Sequence, residues 1–497
     1  MSYGKKIWRN TTSGILNQLI TLAVGILIPR LVLVSLGSEA NGLLGSTNQA
    51  ITYLALLEGG MGLSITQALY GPMASEKHDD INGIMSASNL FYQNVGTWYF
   101  VGLMIVAVIY SMTVKTSLSN LTVFAVVLLT GLPQVINFFF QGKYRTLISV
   151  SGRGYVLSNL NTVVYIGQSI CKVVLLLCGF GLVAIQVMYC VVSLIQMIFI
   201  IRYVKKVFPW LDLTVEPQKE RIGQRSSVFV HQISGFIFSN TDMLLLTYFC
   251  NLMVVSVYSM YTMFFSMVGT LISNITGSVI FVMGQTFNTD REKYLKLQNA
   301  FETFNMILVF SCYFVLCQCI LPFLRLYTAG ITDINYIDPY IPYLFTAIQL
   351  LQTGRYSSQK VIEYAGEFRN TQWHAAVELA LNVVISVVGV IHWGIYGVLV
   401  GTIISLGFRS VMMIYYACKK ILNIKQTNVY KKWLINIVLF VVMQYIISNM
   451  GYIPKSYLTV VLYAAMMMVV ALIVFGTAGL LYDKNSIRLV IGKILNH

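Results

Sequence analysis

The chain is a succession of apolar runs, most of 20 residues or more, separated by short polar connections. Nothing else in it constrains the fold as strongly. A helical run of about 20 apolar residues crosses the ~30 Å hydrocarbon core of a bilayer. Backbone in that medium must satisfy its own hydrogen bonds, which leaves helices or closed barrels. The strand alternation a barrel needs is absent. Only 10% of the 497 residues are charged, against about 25% in ordinary globular proteins. So few charges could not cover a soluble chain of this length.

Fourteen candidate spans follow, roughly 13–36, 42–68, 85–113, 118–142, 155–178, 181–204, 227–249, 253–283, 299–324, 338–363, 370–391, 394–418, 431–449 and 456–482. The third opens on unusually polar sequence, with Ser86, Ser88, Asn89, Gln93 and Asn94. No cleavable signal peptide is expected, because no small-residue cleavage site ends a short apolar core.

Charge tests the count independently. Lys and Arg collect in cytoplasmic loops, and with the N-terminus inside, most of the 33 basic residues fall in inner connections. Examples are Lys5, Lys6 and Arg9, then Arg202, Lys205 and Lys206, then Lys419, Lys420, Lys431 and Lys432. Only Lys115, Arg325 and Lys455 fall in outer loops. Adding or dropping one span would scramble the pattern, so both termini are expected in the cytoplasm. The net charge of +15 is thus a topology signal. It is dispersed over short segments, unlike the concentrated patch that binds nucleic acid, and attraction to anionic membrane lipids is a secondary effect.

A connection at about 205–226, with Pro209 and Pro217, divides the chain into parts that look alike. Gly181, an apolar span and Lys205-Lys206 in the first match Gly394, an apolar span and Lys419-Lys420 in the second, at an offset of 213. The expected architecture is an all-α polytopic membrane protein of about 14 transmembrane helices. It comprises a six-helix lobe at 1–210, a second at 222–420, and two further helices with a cytoplasmic tail at 428–497. An even number of spans per repeat makes the lobes parallel, related by an axis along the membrane normal.

Enzyme signatures are missing from the sequence: there is no phosphate-binding P-loop, no His-Glu-x-x-His and no nucleophile elbow. No histidine pair has metal spacing, the eight cysteines lie in or at the ends of spans, and neither metal nor cofactor is expected. What remains is the set of ionisable groups inside the membrane, where a charge costs at least ~2.5–3.5 kcal/mol and needs a partner, a wet cavity or a function. These are Arg30, Glu58, Lys172, Asp242, Arg355, Glu378 and Arg409. Arg30, Lys172 and Asp242 lie six or seven residues from the outer ends of their spans, about 9–10 Å deep at 1.5 Å per residue. Arg30, Lys172 and Arg355 are candidates for binding an anionic substrate, and Glu58, Asp242 and Glu378 for ion coupling or ion pairing. The competing reading is buried pairs that set helix register, with Arg30 or Lys172 snorkelling and Glu378 satisfied locally by Asn382 at i+4. Gly394, Gly397 and Gly401 share one helical face and read as a close helix contact.

Three stretches together resemble a known family. They are Ile28-Pro29-Arg30 through Gly42, running on to Leu56-Leu57-Glu58-Gly59-Gly60; Asn240-Thr241-Asp242-Met243; and Glu378 through Ser386 with Gly394-Ile395-Tyr396-Gly397-Val398. In order, and with the expected span count, they are similar to the oligosaccharide flippases of bacterial surface-polysaccharide synthesis, including the O-antigen (Wzx-type) flippases. That superfamily also holds the multidrug and toxin extrusion (MATE) transporters and the lipid II flippase. The resemblance implies a non-enzymatic protein of the bacterial cytoplasmic membrane that moves undecaprenyl-diphosphate-linked repeat units from the inner to the outer leaflet. It further implies alternating access, a cationic central cavity with Arg30 at the substrate, and partners among other polysaccharide-assembly proteins. Val255-Ser256-Val257-Tyr258 departs from the pattern, where glycine before the tyrosine is more typical. A MATE-like cation-coupled exporter is the alternative. A membrane polymerase or glycosyltransferase is disfavoured by the short outer loops.

Overall fold

In a computed structural model, residues 3–59, 61–221 and 240–484 are described, and they form helices with no strand among them. In chain order these are α1 (Tyr3–Leu54), α2 (Met61–Ala74), α3 (His78–Thr113), α4 (Asn120–Ile136), α5 (Gly142–Ile148), α6 (Gly154–Leu177) and α7 (Leu182–Val207). There follow α8 (240–249), then α9 (Leu252–Thr289), α10 (Arg291–Tyr327), α11 (Ile341–Gly354), α12 (Tyr356–Tyr364) and α13 (Phe368–Trp393). The last three are α14 (Ile395–Tyr415), α15 (Thr427–Met450) and α16 (Tyr457–Tyr482). This is an all-α membrane architecture.

Ten helical stretches among the described residues are long and apolar enough to span a bilayer. The difference from fourteen has local causes. The first two runs share α1, broken at Gly37, whose φ of 82° only glycine adopts readily. The fourth and fifth runs merge in one stretch, Asn120–Leu177. It passes through π-helical turns at Asn137–Gln141 and Ser149–Arg153, the second bent at Gly152 (φ 72°). The tenth run is split into α11 and α12. Of the seventh, 227–239 lie outside the described residues.

The chain forms two compact units, Met1–Ser256 and Val257–His497. Two sets of contacts tie the first unit together. The connection after α7 is not a loose linker: it lies across the start of α3. Gln218 N–H donates to Gly83 O (3.0 Å), Ser86 Oγ to Val215 O (2.7 Å) and Asp212 N–H to Asn82 Oδ1 (3.1 Å). The Trp210 ring stacks on His78 at 3.9 Å. Helix α3 thus begins earlier than the third apolar run, at His78, and its buried Asn82 and Ser86 serve the strap.

In the second set, α8 and the start of α9 pack on the second half of α1. Ser46 Oγ and Thr247 Oγ1 are 2.6 Å apart, Tyr53 OH and Thr241 Oγ1 likewise 2.6 Å, and Asn41 Nδ2 donates to Ser256 Oγ at 2.8 Å. A Cβ at Gly42 would fall well inside 3.0 Å of the Leu252 carbonyl. In lipid there is little hydrophobic force between helices, so small residues and interhelical hydrogen bonds carry the association.

The second unit is built on α10, most of which is buried. Helices α15 and α16 pack against it through rings: Phe310 on Trp433, Phe314 on Phe440, and both on Phe475.

Candidate functional site

Three helices of the second unit bring charged side chains to one point. Arg355 sits at the junction of α11 and α12, Glu378 midway along α13, and Arg409 in α14. Arg355 Nη1 donates to Glu378 Oε1 at 3.0 Å, and Arg409 Nε lies 3.5 Å from Glu378 Oε2. Arg409 Nη1 also donates to the Thr371 carbonyl at 3.2 Å. The three side chains are 11%, 10% and 6% exposed, so one carboxylate serves two guanidiniums and the cluster carries an excess positive charge. Among the described residues Arg355 Nε makes no hydrogen bond, and neither does the buried His374 Nδ1 one turn before Glu378. The competing reading in which Asn382 satisfies Glu378 is not the arrangement found: Asn382 Nδ2 donates to Thr402 Oγ1 on α14, at 3.0 Å. The local i+4 bond loses to the charge-assisted bond from the Arg355 guanidinium, with Arg409 as a second close charge.

The first unit holds the other candidates separately. Glu58 ends a short 3₁₀ turn after α1 and accepts a hydrogen bond from Tyr92 OH on α3 at 3.0 Å, rather than a bond from Arg30. Arg30 is half-buried on α1 and engaged with a neighbour. Asp242 on α8 is buried and likewise engaged. Lys172 is half-buried on α6, which packs against α1, and among the described residues no hydrogen bond or ion pair is drawn to it.

The three glycines divide by role. Gly394 turns the chain from α13 into α14 with φ 54° and ψ −128°, a region glycine reaches at least cost. At Gly397 a Cβ would run into the Gly389 backbone, and at Gly401 into Ser386, both well inside 3.0 Å. Helices α13 and α14 therefore touch backbone to backbone.

One cluster was not anticipated, since Lys432 reads as an inner-loop charge and Glu302 as a helix-end residue. Lys432 Nζ on α15 donates to Asn299 Oδ1 (2.7 Å), Thr303 Oγ1 (2.9 Å) and Asp483 Oδ2 (3.3 Å), with Glu302 Oε2 at 3.9 Å. Asp483 in turn accepts from Asn299 Nδ2 (2.7 Å) and Thr303 Oγ1 (2.8 Å). The available signal was Asn299, Glu302 and Thr303 at helical spacing on α10, but their partners lie more than 120 residues away.

No family model matches the chain, and no curated protein matches it in sequence. Solved structures do. An inward-facing multidrug-resistance MATE family transporter of the MOP superfamily superposes with a TM-score of 0.65 at 15% identity, over 84% of this chain and 98% of the other. The lipid II flippase MurJ, in an inward-closed conformation, gives 0.64 at 12% identity, over 95% and 98%. A MOP superfamily transporter from Pyrococcus furiosus, described as having a binding pocket of reversed polarity, gives 0.55 at 13%, over 83% and 95%. At such identities the likeness speaks for the fold, and the chain has the transporter fold that MATE proteins and MurJ share.

Proposed function

We propose that the protein is a flippase for polyprenyl-diphosphate-linked oligosaccharides. It would move them from the inner to the outer leaflet of the bacterial cytoplasmic membrane by alternating access, with both termini in the cytoplasm. The observation that carries this reading is surplus positive charge within membrane helices: two guanidiniums on Glu378, and Lys172 with no ion pair drawn among the described residues. A cation costs too much in hydrocarbon to be kept without an anion to meet, and a diphosphate is such an anion. Guanidinium forks match phosphate oxygens bidentately, which assigns contact roles to Arg30 and Arg355 and a supporting one to Lys172. Glu378 is the resting partner of Arg355, and Glu58 and Asp242 are candidates for ion coupling. The polyprenyl tail can stay in lipid, so only the polar head needs a basic cavity, and no covalent bond is broken. The likeness to a lipid flippase extends over 95% of the chain, against 84% for the MATE transporter, which supports the same choice at the level of fold.

The test is reconstitution. Proteoliposomes loaded with a polyprenyl-diphosphate oligosaccharide bearing a fluorophore should show transbilayer movement, read by a quencher confined to one side. Arg30→Ala should abolish movement at near-normal membrane abundance, and Arg30→Lys should recover part of it. Transport of lipophilic cations with no movement of the lipid-linked sugar would favour the exporter reading and refute this one.

A further inference from the structure

The first unit contains a cavity of about 280 Å³ that none of the charged candidates lines. It lies among α4, the π-helical turn that follows it, α6 and α7. Among the described residues its lining is six carboxamides, from Gln134, Asn137, Gln141, Asn161, Gln168 and Gln196, with a single cation, Arg145, and no carboxylate. Tyr165 and Tyr189 add two ring faces.

The network around Arg145 is half complete. Asn161 Oδ1 accepts from both Arg145 Nη2 (3.2 Å) and Gln196 Nε2 (3.0 Å), while Arg145 Nε donates to Gln141 Oε1 (3.4 Å). Among the described residues Asn137 Oδ1 is buried with no hydrogen-bond partner, and no hydrogen bond is drawn to the side chains of Gln134 or the buried Gln168. Polar groups in hydrocarbon without partners are costly, and a π-turn, here Asn137–Gln141, often marks a functional site.

We propose that this cavity is a saccharide-binding site. Each carboxamide offers both a donor and an acceptor, as does each hydroxyl of a sugar, so adjacent hydroxyls and amides satisfy one another in pairs. The tyrosine rings present flat apolar faces with a polar tip, suited to the C–H face of a pyranose. One guanidinium is too little charge for a diphosphate, and the absence of a carboxylate from the lining disfavours a cationic drug. The volume suits one or two rings, at the small end of the ~300–1,000 Å³ of ligand pockets. That the sugar belongs to a lipid-linked substrate met on the cytoplasmic side rests on the proposed function and its topology; the site itself does not.

The test uses the full-length protein in phosphatidylcholine nanodiscs, free of sugar-based detergent. Saturation-transfer NMR is run against soluble glucose, galactose, N-acetylglucosamine and glucuronate. At least one should bind, and Gln168→Ala or Val164→Phe, which fills the cavity from its apolar side, should weaken it about tenfold or more. Gln168 makes no hydrogen bond among the described residues, so Gln168→Ala breaks none, and a variant that melts no lower than wild type yet fails to bind shows that the loss is not one of folding. The proposal is overturned if no saccharide binds, if both variants bind as wild type, or if sn-glycerol 3-phosphate alone binds, marking a phospholipid headgroup site. Polyprenyl diphosphate without sugar should bind wild type and Val164→Phe alike. Failure of that arm alone would remove the flippase reading and leave the saccharide site standing.

Discussion

Replacing Glu378 with glutamine keeps the shape of the side chain and one carbonyl acceptor but removes the negative charge. Arg355 and Arg409, 11% and 6% exposed, would then face each other with no counterion. At an effective dielectric of 20, contacts of 3.0 and 3.5 Å are each worth about 5 kcal/mol before desolvation. Net values are smaller, and breaking a buried pair from one side costs about 3–5 kcal/mol. Removing Arg409 instead leaves Arg355 and Glu378 as a balanced pair. Arg409→Met should therefore cost only about 1–2 kcal/mol, mainly the bond to the Thr371 carbonyl. Melting of the detergent-solubilised protein, followed by size-exclusion fluorescence, should thus rank the variants unequally. Glu378→Gln should fall by about 3–5 °C and Arg409→Met by about 1–2 °C. Equal losses, or a Glu378→Gln protein that melts with wild type, would show that water or another charge already compensates the arginines. The triad argument would then fail.

Two further outcomes follow from packing. Gly397→Ala should sharply reduce folded protein in the membrane, because its Cβ meets the Gly389 backbone, whereas Gly407→Ala, with nothing within 4 Å, should accumulate normally; equal yields would reject the close contact of α13 and α14. Lys432→Met leaves the buried Glu302 and Asp483 without their cation and should destabilise the protein by about 3–5 kcal/mol, with Lys432→Met/Asp483→Asn recovering part of the loss in the same melting assay; no change in the single variant would mean the cluster is hydrated.

Arg355, Glu378 and Arg409 stand out in the chain alone, because each one interrupts an apolar run where charge is expensive. Their partners could not. Glu378 has a plausible partner four residues away in Asn382, and proximity in sequence favours it. The actual partners, Arg355 and Arg409, come from other helices whose facing sides are set when α11, α13 and α14 pack. Lys432 misled for the opposite reason. Its place near an inner helix end is where lysines collect in cytoplasmic loops, yet α10 and α16 close over it and make it a buried hub.

Apolar character and helical conformation are properties of each segment in its solvent, since a helix in lipid satisfies its backbone without help from its neighbours. Those are what the amino-acid order determined on its own. Which face of each helix meets which partner depends on rotation about the helix axis and on the bends at Gly37 and Gly152. These are settled by contacts between segments remote in sequence. The Arg355–Glu378–Arg409 cluster, the strap of 208–221 across α3 and the amide-lined cavity at the π-turn after α4 all belong to that second kind.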